Sequence, residues 1–285
     1  MEFTPLNQHK THPLIESFYQ FKIREKDLPF ETLILPVGNT NIAYNFCEED
    51  ILFTHNKNTS YYNKLTLMGQ FYGSYNILVH KVNYNIGFDL KPTSLYKIVN
   101  KDVSGATNKQ TLLKDFHFDL YQKLNPIFIK HKEDTKKLIK SINKVFDQLT
   151  LSKDINVKHI DRAIGIITEN DGILKVKDLL KDVPYSQKSL EVQFKKIVGL
   201  TPGRYIRQYR FMNLMRKYIS KEIKIITSYS ATNKDFIDAM EFISKNNLDL
   251  SKFITHEFKI ENAEEGIKIA KDGKNRIKVI ISANK

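Results

Sequence analysis

The chain has 285 residues, 41% of them apolar and 27% charged, a globular composition that excludes a disordered, apolar-poor polymer and is long enough for two or three modest cores. Lys and Arg outnumber Asp and Glu by 45 to 32, a formal charge of +13, which favours a polyanionic partner such as nucleic acid. The only cysteine, Cys47, excludes an intramolecular disulfide and a cysteine-cluster zinc site and fits a reducing compartment.

The opening segment MEFTPLNQHKTHP lacks the apolar core of a signal peptide, and no run of 18 apolar residues could span a bilayer, so a cytoplasmic protein with no membrane partner is expected. From about residue 28 to 100, short runs of β-branched and aromatic residues predict strands: Thr32 to Leu35, Ile42 to Tyr44, Ile51 to Phe53 and Tyr75 to Val79. Turn formers at Val37-Gly38-Asn39 and between Gly69 and Gly73 separate them, which suits an antiparallel sheet or barrel. His80, Tyr84 and Tyr96 are candidates to line an effector pocket there, although such residues in a small β domain are more often core. After Pro92 a helical period takes over, and Leu138, Ile142, Val145, Phe146 and Leu149 predict an amphipathic helix that closes this domain. Polar residues Ser152 to Asn156 are the candidate linker.

Val157, Ile160, Ile164 and Ile167 then mark one face of a helix that stops near Asn170-Asp171-Gly172. Val176, Leu179, Leu180 and Val183 mark a short second helix. Pro184 keeps Val183 from continuing it, and Ser186 is a good N-cap for a third helix with Leu190, Phe194, Ile197 and Val198 inward. Gly199 is placed to end that helix, and Thr201-Pro202 opens a fourth that buries Tyr205, Ile206, Tyr209 and Met212. Two short amphipathic helices joined by a tight turn can lay the second in the DNA major groove while the first braces it. Of the net charge, +7 falls between Ile155 and Ser220, where 13 Lys and Arg meet 6 Asp and Glu. On the exposed face of the third helix, Gln187, Lys188, Glu191 and Val192 are candidates to reach base edges and Lys195 and Lys196 to contact phosphates. Backbone N–H groups near Ser186 are a further candidate phosphate site. Arg204, Arg207, Arg210 and Arg216 decorate the fourth helix.

The order of Pro184-Tyr185-Ser186-Gln187-Lys188-Ser189-Leu190, Phe194-Lys195-Lys196, Gly199-Leu200-Thr201-Pro202, Tyr205-Ile206-Arg207 and Arg210-Phe211 resembles the AraC/XylS class of transcription regulators. Upstream, Gly87 to Tyr96 looks like the close of the β-rich sensory domain in one branch of that class. The resemblance covers about residues 15 to 216. It implies double-stranded DNA as partner, a candidate small-molecule effector and a candidate homodimer. Two departures stand out. Members usually carry two helix-turn-helix units, and the second is not recognisable after Arg216. Val192 also sits where many relatives have an Arg aimed at a base.

From Lys221 the character changes. Ile223 to Ile226 reads as a strand, Thr232 as the cap of a helix with Phe236, Met240 and Ile243 on one face, Ile254 to Phe258 as a strand, Glu261 to Ala270 as a helix ending near Gly273, and Ile277 to Ile281 as a strand. Ser228-Tyr229-Ser230, Ile254-Thr255-His256 and Lys274 to Ile280 resemble the extreme C-terminus of zinc-type medium-chain alcohol and polyol dehydrogenases. That family needs a glycine-rich dinucleotide turn and a catalytic metal. None of the 11 glycines forms G-x-G-x-x-G and the tail has about 65 residues, so no enzyme activity, cofactor or metal is expected and His256 reads as structural.

The expected fold is therefore α+β and multidomain: a β-rich ligand-sensing or dimerisation domain at 1–151, an all-α helix-turn-helix domain at 155–216, and a small α/β fragment at 221–285. The expected function is sequence-specific DNA binding by an incomplete regulator. The alternative is a ligand-binding or interaction protein left by a gene fusion, with DNA binding lost; a dehydrogenase-like enzyme stands far behind both.

Overall fold

In the computed structural model, which describes residues 1–6, 11–36, 38–219, 233–272 and 277–283, the chain is mixed α and β, with strands first and helices after. Among the described residues nine strands come first, β1 (Glu2–Pro5), β2 (Ile15–Ile23), β3 (Phe30–Ile34), β4 (Thr40–Phe46), β5 (Ile51–His55), β6 (Asn58–Tyr62), β7 (Lys64–Met68), β8 (Tyr75–Val79) and β9 (Asn83–Leu90), and a tenth, β10 (Gln110–Leu112), follows the first helix. They form two antiparallel sheets, ordered β1-β2-β9-β4-β7-β10 and β3-β8-β5-β6. The runs that read as strands fall in β3, β4, β5 and β8. The polar and tyrosine-rich β6 and the asparagine-rich β9 carry weaker strand signals, and only cross-strand pairing reveals them.

Register decides what each face of the larger sheet does. Ile42 pairs with Phe88 and Tyr44 with Ile86, and these side chains turn toward the helices, where Phe88 meets Phe146 at 5.5 Å between ring centroids. The residues between them, Asn41 opposite Asp89 and Asn45 opposite Asn85, turn toward the smaller sheet across a cavity of about 280 Å³.

The helices are α1 (Ser94–Val99), α2 (Leu113–Phe116), α3 (Phe118–Lys130), α4 (Thr135–Asp147), α5 (Ile155–Glu169), α6 (Val176–Leu179), α7 (Gln187–Val198) and α8 (Pro202–Ile219). The helix expected from the period starting at Leu138 is α4, capped by Asp134. Its face is completed by Ile139, which is buried, while Val145 and Leu149 sit at the margin of the core. One apolar core runs without a break from Leu6 to Ile206 and crosses the polar 152–156 segment. That segment is itself tied down: Ser152 N–H donates to the Lys97 carbonyl at 2.8 Å and Ser152 Oγ to Asn100 Oδ1 at 2.6 Å.

The chain divides into two compact units, Met1–Ile223 and Lys224–Lys285. In the second, α9 (Asn233–Lys245) precedes β11 (Ile254–Lys259), α10 (Ala263–Asp272) and β12 (Lys278–Ser282). β11 pairs with β12 in parallel, and α10 crosses between them with Gly266 close against Phe258 and Ile281. On α9, Phe236 and Met240 are 62% and 69% exposed, so the apolar stripe read there is a surface. The strand expected at Ile223 to Ile226, the Thr232 cap, the Ser228-Tyr229-Ser230 motif and the stretch from Gly273 to Arg276 lie outside the described residues. No helix among the described residues is long and apolar enough to cross a membrane.

Candidate nucleic-acid interface

The segment read from the sequence as a helix-turn-helix holds α5 to α8, and local signals set several of their ends. Asp154 caps α5 by accepting the Asn156 N–H at 2.9 Å. At its other end the chain reverses through Asp171 and Gly172, both at positive φ. Gly172 is required there: a Cβ would lie 2.9 Å from the backbone nitrogen of Arg210, and the Gly172 carbonyl accepts from Arg210 Nε at 2.8 Å. The second helix, expected to reach Val183, is shorter: α6 is a single turn ending at Leu179, with the chain turning from Leu180 to Asp182 before Pro184. Leu179 and Val183 are nonetheless buried, because the turn keeps their side chains on the core side.

Ser186 caps α7 by accepting the Ser189 N–H at 3.2 Å, and Gly199, at φ +94°, ends it in the left-handed region. Leu190 and Phe194 have no exposure, and Ile197 and Val198 are buried behind them. Phe194 packs on Tyr205 of α8 at 5.5 Å. The opposite face is solvent-facing: Ser186, Gln187, Lys188 and Lys195 are exposed, and Val192 is 57% exposed. Glu191 is half-buried and accepts from Gln187 Nε2 at 3.1 Å. Gln187, Lys188, Glu191 and Val192 therefore share one surface with Lys195.

Lys196 points elsewhere. Its Nζ lies 3.9 Å from Asp154 Oδ2 and 5.5 Å from the centre of the Tyr96 ring, while Tyr96 Oη donates to the same Asp154 oxygen at 2.7 Å. This hydrogen bond from Tyr96, with those from Asn156 and the nearby Lys196 charge, holds the Asp154 carboxyl below the usual carboxylate range. Beside it, Lys97 pairs with Asp161 at 2.8 Å and Thr93 Oγ1 donates to Asp161 at 2.6 Å. Helix α1 thus clasps α5 and α7. The tyrosine before the cap is held too, since Tyr185 Oη donates to Asn156 Oδ1 at 2.6 Å.

A carboxyl whose folded value is depressed stabilises the fold above its unfolded value of ~4 and loses that contribution as pH falls through the folded value. Asp154→Asn is accordingly expected to melt lower than the parent at neutral pH, with the gap closing as the pH drops below ~4. Thermal melts of both proteins from neutral to acid pH check this, and a gap that widens in acid contradicts the assignment.

The arginines of α8 divide as well. All four are exposed, but Arg204 lies over the Tyr72 ring at 4.2 Å and Arg210 is bound to the Gly172 carbonyl. Two side chains on α8 were not legible beforehand. Gln208 is buried and donates to the Phe71 carbonyl at 2.6 Å, and Tyr209, expected inside, sits at the margin. Among the described residues no group of three His, Cys, Asp or Glu side chains is placed to hold a metal ion.

No protein-family profile matches the chain, and a search of curated proteins returns no match. Among solved structures it is similar to ToxT from Vibrio cholerae O395, at 9% identity over 70% of this chain and 82% of that one, with a TM-score of 0.39. It is also similar to the AraC-like transcriptional activator CuxR, at 13% identity over 70% and 73% of the two chains, with a TM-score of 0.23. At these scores the likeness decides neither fold nor function, and neither neighbour bears on the dehydrogenase resemblance of the tail.

Proposed function

We propose that the protein is a sequence-selective DNA-binding transcription regulator of the AraC type that acts inside the cell through a single helix-turn-helix unit at 155–216, without covalent chemistry. One observation carries this reading: α7 follows a tight turn, is anchored behind by the fully buried Leu190 and Phe194, and presents Gln187, Lys188, Glu191, Val192 and Lys195 on its free side. A helix held that way can enter a major groove, its first residues toward base edges and its last toward phosphate. Lys188 and Gln187 carry the base-reading role. Lys195 carries the phosphate role; Lys196, occupied by Asp154 and Tyr96, positions α7 against α1. The β-rich domain at 1–151 senses a small molecule or mediates dimerisation, and the tail from 221 replaces the second unit. The cavity between the sheets favours a second reading, a ligand-binding protein without DNA affinity.

Gel-shift titration at several salt concentrations separates the two. A regulator forms a sequence-selective complex whose affinity falls as salt rises, because phosphate contacts release counterions. Lys188→Ala should relax selectivity at one base position, at a cost of about 1 to 3 kcal/mol. Lys195→Ala should weaken binding to all duplexes alike and reduce the salt slope by about one. Equal affinity for every duplex, or no binding at low salt, rejects the regulator and leaves the ligand-binding reading.

A further inference from the structure

The inner face of the larger sheet is unusual for a sandwich, where both inner faces are ordinarily apolar. The smaller sheet contributes Ile51, Tyr62, Tyr75, Ile77 and Val79 to the cavity between the sheets. Opposite them the larger sheet contributes Asn41, Asn45, Asn83, Asn85, Asp89 and Gln110, set among apolar and aromatic neighbours such as Tyr19, Phe21, Ala43 and Met68. Asn83 is only 3% exposed, yet its Oδ1 has no hydrogen-bond partner, and neither does Gln110 Oε1. Buried acceptors of this kind are costly unless something donates to them. The other groups are held in place: Asn85 Nδ2 donates to Asn45 Oδ1 at 2.7 Å, and Asp89 accepts from Ser17 Oγ at 2.8 Å and from Asn41 Nδ2 at 3.1 Å. No Lys, Arg or His lines the cavity among the described residues, and Asp89 is the one ionisable carboxylate there.

We infer that this chamber is a binding site for an uncharged, mainly apolar molecule with a hydrogen-bond-donating polar end, which lies against the amide and carboxyl face while its apolar body packs on the smaller sheet. The assignment rests on the sensory reading of the β-rich domain and deepens it by naming the ligand class. A volume of about 280 Å³ is near the lower end of small-molecule sites, and an apolar wall with a few convergent polar groups is their usual make-up. Anions are disfavoured because, among the described residues, no cation lines the cavity and the Asp89 carboxyl does. Burial pushes the Asp89 carboxyl above its ordinary value, in keeping with a site poor in positive charge.

Calorimetric titration of the full-length protein with decanol, decanamide and decanoate tests this. The alcohol and the amide should bind, and decanoate should bind ~10-fold more weakly or worse, a difference of about 1.4 kcal/mol. In Asp89→Asn, which keeps the side-chain shape, that discrimination should shrink toward equality while decanol still binds. Decanoate binding as tightly as decanol to the parent protein overturns the ligand class but leaves a ligand-binding domain. Failure of all three to bind overturns both the site and the sensory reading that it deepens. Discrimination unchanged in Asp89→Asn removes Asp89 as its source and overturns the stated chemistry.

Discussion

Phe194→Ala is expected to destabilise the first unit by about 3 to 5 kcal/mol, the usual cost of emptying a fully buried aromatic site. Phe194 has no exposure and its ring meets Tyr205, so it joins α7 to α8. The same core cluster holds Ile160 and Ile167 of α5 with Leu179 of α6. Removing the ring leaves a void that three helices cannot close together, and the exposed face of α7 loses its backing. For a unit of this size such a loss lowers the melting temperature by roughly 10 °C, and the selective DNA complex should weaken with it. Phe194→Leu retains most of the volume and should recover much of both. Thermal melts and gel shifts on the two variants check this; a Phe194→Ala protein that melts like the parent places Phe194 outside the core.

The second large effect comes from a glycine. A Cβ on Gly69 would lie 1.9 Å from the Ala106 carbonyl oxygen and 2.5 Å from its carbon, both backbone atoms that cannot swing away. Gly69→Ala is therefore expected to cost about 3 kcal/mol through overpacking. The effect should reach α7, because the displaced segment holds its end: Val103 N–H donates to the Lys196 carbonyl at 3.0 Å and Thr107 Oγ1 donates to the Gly199 carbonyl at 2.6 Å. Reduced DNA affinity should accompany the lower melting temperature. Gly105→Ala, where a Cβ meets nothing within 4 Å, is the matched control and should behave like the parent. Chemical-denaturation curves for both variants decide it, and equal midpoints for Gly69→Ala and the parent rule out the close approach.

Another contact joins the cavity lining to α8. Phe71 lines the cavity, and its carbonyl is the acceptor for Gln208 on α8. This loop is therefore hydrogen-bonded directly to the helix on which Phe194 packs.

His80, Tyr84 and Tyr96, the candidate effector contacts, do not line that cavity. His80 is exposed, Tyr84 lies on the helix-facing side of β9 against Phe46, and Tyr96 belongs to the Asp154 clasp. The groups that do line it stand at alternate positions of the sequence, Asn41-x-Ala43-x-Asn45 on β4 and Asn83-x-Asn85 on β9. A polar-apolar alternation is ordinarily read as one face in water. Here the second sheet covers that face, and no local signal announces a cover made by strands of another sheet.

What the amino-acid order determined alone, in the helical segment from Ile155 to Tyr205, was the cap at Ser186, the left-handed stop at Gly199 and the buried stripe of α7. Each follows from interactions within four residues, where period, cap and breaker chemistry act directly on the backbone. Only the tertiary structure decided that Lys196 turns to Asp154 and Tyr96, that Gln208 is buried against Phe71, and that the asparagines of β4 and β9 face a chamber. Those outcomes depend on which surfaces meet across long separations in the chain, and a side chain's neighbours there are set by sheet register and helix packing rather than by the residues beside it.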